Sequence, residues 1–208
     1  MQFRFLLRQN WNDPMRRNEW LHIHPSFFVF WTVTCLLDAD GYLWQFVLAA
    51  GIHEMGHAAA VFLAGGRIDQ LVLYAAGACM QVHHPRGYWC DIAIAAAGPL
   101  AGFAAAIVSA GWGNLSFAGV NLLLSLFNCL PVLPLDGGCI VAYLLCLSPA
   151  GLRGYDFLCW VSLAESAGLI ALGFYVWCRT GTNLALLVIG IILFVGNCGR
   201  QRMHEKAT

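Results

Sequence analysis

Two histidines and a glutamate occur in the spacing His53-Glu54-Met-Gly-His57 within an apolar part of the chain. If this segment is helical, His53 and His57 are four residues apart and project from one face, where both imidazoles can bind one metal ion. Glu54 directly follows the first histidine and can act as general base on a water molecule at the metal. This spacing predicts a zinc site that activates water for hydrolysis of a peptide bond.

A third ligand is needed, because catalytic zinc sites usually combine three protein ligands with one open position. The strongest candidate is Asp136, in the segment Asn128-Cys-Leu-Pro-Val-Leu-Pro-Leu-Asp136-Gly-Gly138. A carboxylate at the end of an apolar helix is costly unless it is paired or bound to metal. The two prolines before it break the helix and the two glycines after it allow a tight turn. This segment can therefore steer a carboxylate to a metal held by a different helix.

Other ionisable side chains are weaker candidates for a ligand. His83 and His84 are expected to be cytoplasmic loop residues without a metal role. His22 and His24 lie at the first membrane entry, where an interfacial role is expected. Glu165 lies in the middle of an apolar segment and must face protein or water rather than lipid. It either pairs with another helix or lines a path for water or substrate, and no catalytic role is assigned to it.

The composition indicates that the elements carrying these residues lie in a lipid bilayer. The 208 residues are 60% hydrophobic and 11% charged, against about 25% charged in soluble domains, and the mean hydropathy is +0.67. We expect an all-α polytopic membrane protein with a short membrane-associated β-hairpin. The formal net charge is zero, so nothing points to a nucleic-acid partner.

Apolar segments long enough to cross a bilayer need about 20 residues, and six candidate spans are predicted. Gly111-Trp-Gly-Asn114 marks a turn inside an uncharged run that is too long for one span. The predicted spans are 24–37, 42–65, 91–110, 115–135, 156–178 and 182–198. They form one domain over 1–208, with a cytoplasmic or interfacial segment at 1–22, a catalytic core at 23–145, and the last two spans and tail at 146–208.

The distribution of positive charge predicts the orientation of these spans. With cytoplasmic N- and C-termini, Arg179 is the one cation of 11 that falls outside, as the excess of cytoplasmic Lys and Arg requires. The cytoplasmic set is Arg4, Arg8, Arg16, Arg17, Arg67, Arg86, Arg153, Arg200, Arg202 and Lys206. The chain is then a multi-pass plasma-membrane protein with His53 nearer the cytoplasmic end of its helix.

The segment Arg67–Val82 differs from its surroundings, because β-branched and aromatic residues follow Gly65-Gly66 and another glycine lies in its middle. This pattern predicts a hairpin or an extended loop. An extended edge beside a protease site can pair with an unwound substrate by strand addition. The alternative is a plain cytoplasmic loop.

Three motifs together resemble the site-2 protease family of intramembrane zinc metalloproteases. They are His53-Glu-Met-Gly-His57, Ala97-Gly-Pro-Leu-Ala-Gly102 and Asn128-x-Leu-Pro-x-x-Pro-Leu-Asp136-Gly-Gly, and the resemblance covers about residues 20–145. Their order and separation fit the family, whereas a lone H-E-x-x-H would be weaker. The small residues Gly98, Pro99, Ala101 and Gly102 are interpreted as positions of close helix packing.

The resemblance implies that Zn²⁺ is bound by His53, His57 and Asp136 and that Glu54 is the general base. It places Asn128 near the site, where the amide would bind the substrate backbone or the developing oxyanion; alternatively, Asn128 makes a hydrogen bond between helices. The implied partners are a membrane-embedded or membrane-tethered protein substrate, the lipid bilayer and regulatory membrane proteins.

Within the family, Ile23-His-Pro25 and the Arg67–Gln81 hairpin look like the sporulation branch, the SpoIVFB type. Such enzymes have six spans and cleave a membrane-associated inactive sigma factor near its pro-sequence. The sequence departs from that branch because it ends ten residues after Cys198, without the usual C-terminal CBS domain. No PDZ insertion is visible either, so the regulation and substrate capture that such domains supply elsewhere are not assumed. The alternatives are a chain cut short before a CBS domain and a compact homologue.

Two other functions compete with proteolysis. An inactive, protease-like membrane binding protein would need a disrupted motif, and all the expected catalytic residues are present. A metal transporter would place its histidines and aspartate along an ion path, but the inverted repeats that such proteins often show are not visible.

Overall fold

The structure is a computed structural model, and it describes residues 21–23, 25, 27–28, 31–32, 41–74, 77–83, 87–149, 151–180 and 184–205. Most of the predicted N-terminal segment and most of the predicted first span lie outside these residues. The described part is mostly helical, with a small mixed sheet. Its elements are β1 (Leu21–Ile23), α1 (Leu43–Leu63), β2 (Arg67–Tyr74), β3 (Gly77–His83), α2 (Tyr88–Gly111), α3 (Leu115–Asn128), α4 (Asp136–Leu147), α5 (Gly151–Thr180) and α6 (Ala185–Glu205).

Within the described residues, three helices are long and apolar enough to cross a membrane, and they correspond to the predicted spans 42–65, 91–110 and 156–178. They cover Leu43–Leu63, Tyr88–Gly111 and Arg153–Thr180. The predicted spans 115–135 and 182–198 correspond to shorter apolar helices. The count of six membrane crossings stays a prediction.

Many large apolar side chains are exposed, and several polar side chains lie in the interior. Large apolar residues such as Trp44, Ile107 and Val195 are exposed on the helices. Several polar side chains are buried together with apolar ones, and they are Gln45, His53, Ser109, Asn121, Ser125, Ser162, Ser166 and Asn197. Because apolar surface is stable against lipid and polar groups there need internal partners, this distribution is typical of a membrane protein.

The chain forms two compact units, and the boundary between them lies at residues 130–131. The described residues up to Leu130 belong to one unit, which contains the sheet and helices α1 to α3. The described residues from Pro131 onward belong to the other, which contains α4 to α6. The prediction of one domain over 1–208 stays a prediction.

A glycine pair ends α1 and turns the chain into the sheet. Gly65 has a φ of 72°, in the left-handed region that glycine favours. Its N–H donates to the carbonyl of Phe62, and the N–H of Gly66 donates to the carbonyl of Val61, both at 2.9 Å. This is the Schellman arrangement, which satisfies the last carbonyls of the helix. It lets β2 begin directly after the helix that carries the two histidines.

The predicted hairpin is present. Strands β2 and β3 pair antiparallel from Arg67 with His83 to Tyr74 with Gly77, with an irregularity between Ile68 and Gln70. Strand β1, which was not predicted, pairs parallel with β2 and places Leu21 opposite Leu71. The order β1-β2-β3 makes β3 an outer strand of the described sheet.

Close approach of helices stabilises the unit that contains α1 to α3. A Cβ added at Gly56 of α1 would lie 2.5 Å from the carbonyl oxygen of Ala97 and 2.7 Å from Cβ of Ala101 in α2. A Cβ at Gly102 would meet the hydroxyl of Ser125 in α3. The prediction that Ala101 and Gly102 serve helix packing agrees with these contacts, because small residues allow such approach.

The predicted turn between α2 and α3 is also present. Helix α2 ends at Gly111, and Gly113 follows with a φ of 80°. Asn114 caps α3 by accepting a hydrogen bond from the N–H of Phe117 at 3.2 Å, as N-cap asparagines do. Helix α3 ends at Asn128, three residues before the first of the two prolines that were predicted to break it.

Candidate metal centre

His53 and His57 project from one face of α1, as the spacing predicted. Their rings are nearly perpendicular, at 83°, with centroids 4.9 Å apart. The two Nε2 atoms are 3.2 Å apart. Zn–N bonds of about 2.0–2.1 Å in tetrahedral geometry would place two ligand nitrogens roughly 3.3–3.4 Å apart. The pair is therefore already close to the spacing that a shared zinc ion requires.

A backbone carbonyl of α2 sets the proton position on His57. Its Nδ1 lies 2.7 Å from the carbonyl oxygen of Ile94. A carbonyl only accepts hydrogen bonds, so Nδ1 carries the proton, and the neutral ring then has its lone pair on Nε2. Histidine ligands of metals are commonly oriented by such a bond on the other ring nitrogen. The Ile94 carbonyl thus prepares Nε2 of His57 to bind a cation.

Gly98 leaves the space in which the imidazoles converge. A Cβ at this buried position would contact Nε2 of His57, and would lie 2.5 Å from its Cε1 and 2.9 Å from Nε2 of His53. The sequence interpretation assigned Gly98 to helix packing, but its missing side chain instead makes room for the two ligand nitrogens. Two convergent nitrogens, one oriented by a carbonyl, in a space that a methyl group would fill, fit Zn²⁺.

Replacing Gly98 by alanine is expected to lower zinc affinity by about 10- to 100-fold, the range found for groups that orient metal ligands. The added methyl group would displace one or both imidazoles from their present positions. Competition with a chromophoric zinc chelator measures the affinity of the purified protein.

Gly51→Ala is the matched control for this substitution, because a Cβ at Gly51 in α1 meets nothing within 4 Å. The control should retain the zinc affinity of the wild type. Equal affinities for all three proteins would show that Gly98 does not shape the metal site.

Glu54 lies next to His53 on α1 and is half-buried. Its position in the helix is the one that the motif predicts for a base beside the first ligand. Nothing in the described structure tests the catalytic assignment, which stays a prediction.

Asp136 is the first residue of α4. Its helix follows a seven-residue non-helical segment, 129–135, that contains both prolines. The predicted interruption before Asp136 is therefore present, but the carboxylate begins a helix rather than ending one. Asp136 belongs to the unit that starts at Pro131, whereas both histidines belong to the other unit. Its role as third ligand stays a prediction.

Asn128 is the last residue of α3, and its Nδ2 donates to the carbonyl of Leu124 in the same helix at 3.0 Å. This bond uses one of the two amide N–H groups, so a second N–H and Oδ1 can serve other partners. The bond runs within one helix, not between helices as the alternative interpretation supposed. Asn128 stays a predicted substrate-binding residue.

The weaker candidates lie in varied surroundings. His22 is in β1 opposite Val72, and His83 is exposed at the end of β3. His24 and His84 fall outside the described residues. Glu165 is half-buried in α5 and one carboxylate oxygen, Oε2, is fully buried.

The sequence did not reveal the contact between the Ile94 carbonyl and His57, because a backbone carbonyl has no signal in the sequence.

Comparison with known proteins gives a likeness of fold. No family model matches the sequence, and no curated protein matches it. Among solved structures, the chain is similar to a site-2 protease from Methanocaldococcus jannaschii, with a TM-score of 0.68. The two are 20% identical, over 86% of this chain and 89% of that chain. At this identity the likeness concerns the fold.

Proposed function

We propose that this chain is an intramembrane zinc metalloprotease. The observation that carries the proposal is a pair of imidazoles on an apolar helix, the buried His53 and the half-buried His57, with Nε2 atoms 3.2 Å apart and Glu54 beside them. The fold likeness to a site-2 protease supports it. So do three helices of sufficient length and hydropathy to cross a bilayer.

The proposed zinc ligands are His53, His57 and Asp136. Two imidazoles and one carboxylate form a ligand set that occurs in catalytic zinc sites and leaves the fourth position open. Because Asp136 opens a helix that follows a proline-containing segment, local structure constrains the backbone from which its carboxylate projects.

The proposed chemistry is hydrolysis of a peptide bond by a water molecule. Bound Zn²⁺ would supply Lewis-acid polarisation of the scissile carbonyl and increase the acidity of the attacking water. Glu54 accepts the proton of that water and donates it to the leaving amine. In the neutral ring of His57, the bond from Nδ1 to the carbonyl of Ile94 places the lone pair on Nε2, the atom that would bind the metal. Asn128 donates its remaining amide N–H to the substrate backbone or to the developing oxyanion.

The proposed substrate is a membrane-embedded or membrane-tethered protein that unwinds near the site. A helical peptide bond is shielded by its own hydrogen bonds, so a cleaved segment must become extended. The edge strand β3 has one side unpaired within the described sheet. An extended substrate could add to this edge through main-chain hydrogen bonds, the strand-addition mode that the hairpin sequence suggested.

Finer aspects of the proposal come from the sequence motifs. We propose a multi-pass protein of the plasma membrane, with cytoplasmic termini, the excess of cytoplasmic Lys and Arg supporting this orientation. The resemblance to the sporulation branch supports a membrane-associated inactive sigma factor as substrate. Regulatory membrane proteins are further proposed partners.

Co-expression with candidate membrane-tethered transcription factors tests the proposal. The wild type should shorten at least one candidate, and His57→Ala should not, because it loses one metal ligand. Immunoblots of the candidate's soluble and membrane fractions detect the shortened product.

Metal removal gives the matching test in isolated membranes. A membrane-permeant zinc chelator should stop cleavage and added Zn²⁺ should restore it, since the ligands hold the metal reversibly. Cleavage that continues at full rate in zinc-free membranes would contradict a zinc protease. Zinc movement across liposomes without cleavage of any candidate would instead favour a metal transporter.

A further inference from the structure

The segment that precedes Asp136 is held by a side chain of α5. Val132 and Leu133 are fully buried. The backbone N–H of Leu133 donates to the hydroxyl oxygen of Ser162 at 3.0 Å. Ser162 is itself fully buried, so no solvent competes for this bond. In an apolar interior such a backbone N–H needs a partner, and Ser162 provides it.

The first turn of α4 is pressed against the same peptide. A Cβ at Gly138 would lie 2.5 Å from the carbonyl carbon and oxygen of Val132 and 2.7 Å from the nitrogen of Leu133. The N–H of Leu135 donates to the carbonyl of Val132 at 2.8 Å. Asp136 therefore lies between two anchored points, Leu135 and Gly138, and any shift of the Val132–Leu133 peptide would move its carboxylate.

Ser162 is in turn fixed by a buried polar chain that reaches α6. The hydroxyl of Ser166 donates to the carbonyl of Ser162 at 2.6 Å. The amide Nδ2 of Asn197 in α6 donates to the hydroxyl oxygen of Ser166 at 3.3 Å. Ser166 is fully buried and Asn197 is 3% exposed. Polar side chains of this kind between apolar helices hold their relative positions.

We propose that Ser162 is a positioning residue for Asp136, acting through the Leu133 peptide. This rests on the proposed role of Asp136 as a zinc ligand. Ser162 touches neither metal nor substrate in this scheme; it fixes the backbone from which the carboxylate projects. Groups that orient metal ligands affect metal affinity even though they do not bind the metal.

Ser162→Ala tests the proposal in the purified full-length protein. The zinc affinity, measured by competition with a chromophoric chelator, should fall about tenfold, within the range for loss of an orienting partner. With Co²⁺ in place of zinc, the visible d–d absorption should also change in intensity, because it reports the coordination geometry. Ser109→Ala is the control, since that buried serine donates to Ala105 in its own helix.

Combination with Asp136→Asn separates positioning from a general loss of stability. If Ser162 acts through the Asp136 carboxylate, Ser162→Ala should cause no further loss of Co²⁺ or zinc affinity once that carboxylate is absent. An equal loss in both backgrounds would overturn the proposal. So would an unchanged affinity and Co²⁺ spectrum in Ser162→Ala alone.

Ser162→Cys provides a second variant if Ser162→Ala does not fold. Cysteine nearly preserves the side-chain volume but offers a much weaker hydrogen-bond acceptor. The zinc affinity of this variant should therefore fall by the same factor. Wild-type zinc affinity would contradict the proposal. Failure of the proposed function can be told apart from failure of the Ser162 proposal. In the former case the wild type itself would bind no zinc at the site or cleave no candidate.

Discussion

Glu54→Gln is expected to abolish cleavage while leaving bound zinc near the wild-type amount. Glutamine has nearly the size of glutamate but cannot accept the proton of the attacking water. Loss of a general base lowers rates by about 10²- to 10⁴-fold, and the two imidazoles proposed to bind the metal are untouched. Cleavage of a co-expressed candidate and metal analysis of the purified protein measure the two effects separately.

His53→Ala provides the contrast for this variant, because it should lose both zinc and cleavage. The pair of results would separate a catalytic glutamate from a metal ligand. Full cleavage by Glu54→Gln with full zinc content would remove Glu54 from the role of base. An inactive binding protein would show no cleavage even in the wild type.

Asp136→Asn is expected to lower zinc occupancy strongly. An asparagine carbonyl is a neutral and weaker ligand than a carboxylate, so two imidazoles would have to hold the ion almost alone. The loss of affinity should exceed the roughly 10- to 100-fold caused by removal of an outer hydrogen-bond partner. Metal analysis after dialysis against a weak chelator measures the occupancy.

Asp156→Asn is the matched control, since this aspartate is exposed on α5. It should keep the zinc content of the wild type. Stoichiometric zinc in purified Asp136→Asn would exclude Asp136 from the ligand set. The third ligand would then have to be sought among other carboxylates and histidines of the chain.

Hydropathy and turn chemistry predicted much of the fold. The spans 42–65, 91–110 and 156–178 match long helices within a few residues, except that the last begins earlier, at Gly151. Gly65-Gly66 indicated where the hairpin begins, and Gly111–Asn114 predicted a turn, because both segments favour conformations that helices cannot continue. These signals lie within short segments, so they predict structure without knowledge of which distant segments pack against them.

Features that depend on distant partners were not predictable in the same way. Strand β1 has three residues and pairs with β2, about 50 positions later; nothing in three residues identifies that partner. Helix α4 has 12 residues, fewer than a membrane span needs, so hydropathy did not separate it from its surroundings.

In the candidate site, too, local features could be predicted from the sequence and contacts between distant residues could not. The spacing of His53 and His57 places both rings on one helical face whatever the rest of the chain does. The position of Gly98 beside those rings depends on how α2 is rotated against α1. In the sequence, a glycine that makes room for metal ligands looks the same as a glycine that lets two helices pack closely. The bond between Leu133 and Ser162 joins residues 29 positions apart, and a serine in an apolar helix has many other possible partners.

The exposed apolar side chains and buried polar ones imply an unusual pattern of mutational tolerance. Outward positions such as Trp44 and Ile107 should accept almost any apolar residue, since one hydrocarbon surface against lipid is much like another. Buried Asn121 and Ser162 should accept few, because a different polar group there would need hydrogen-bond partners that an apolar interior does not supply. A saturation scan should therefore find serines and asparagines more constrained than tryptophans and isoleucines, the opposite of the ranking in a soluble enzyme.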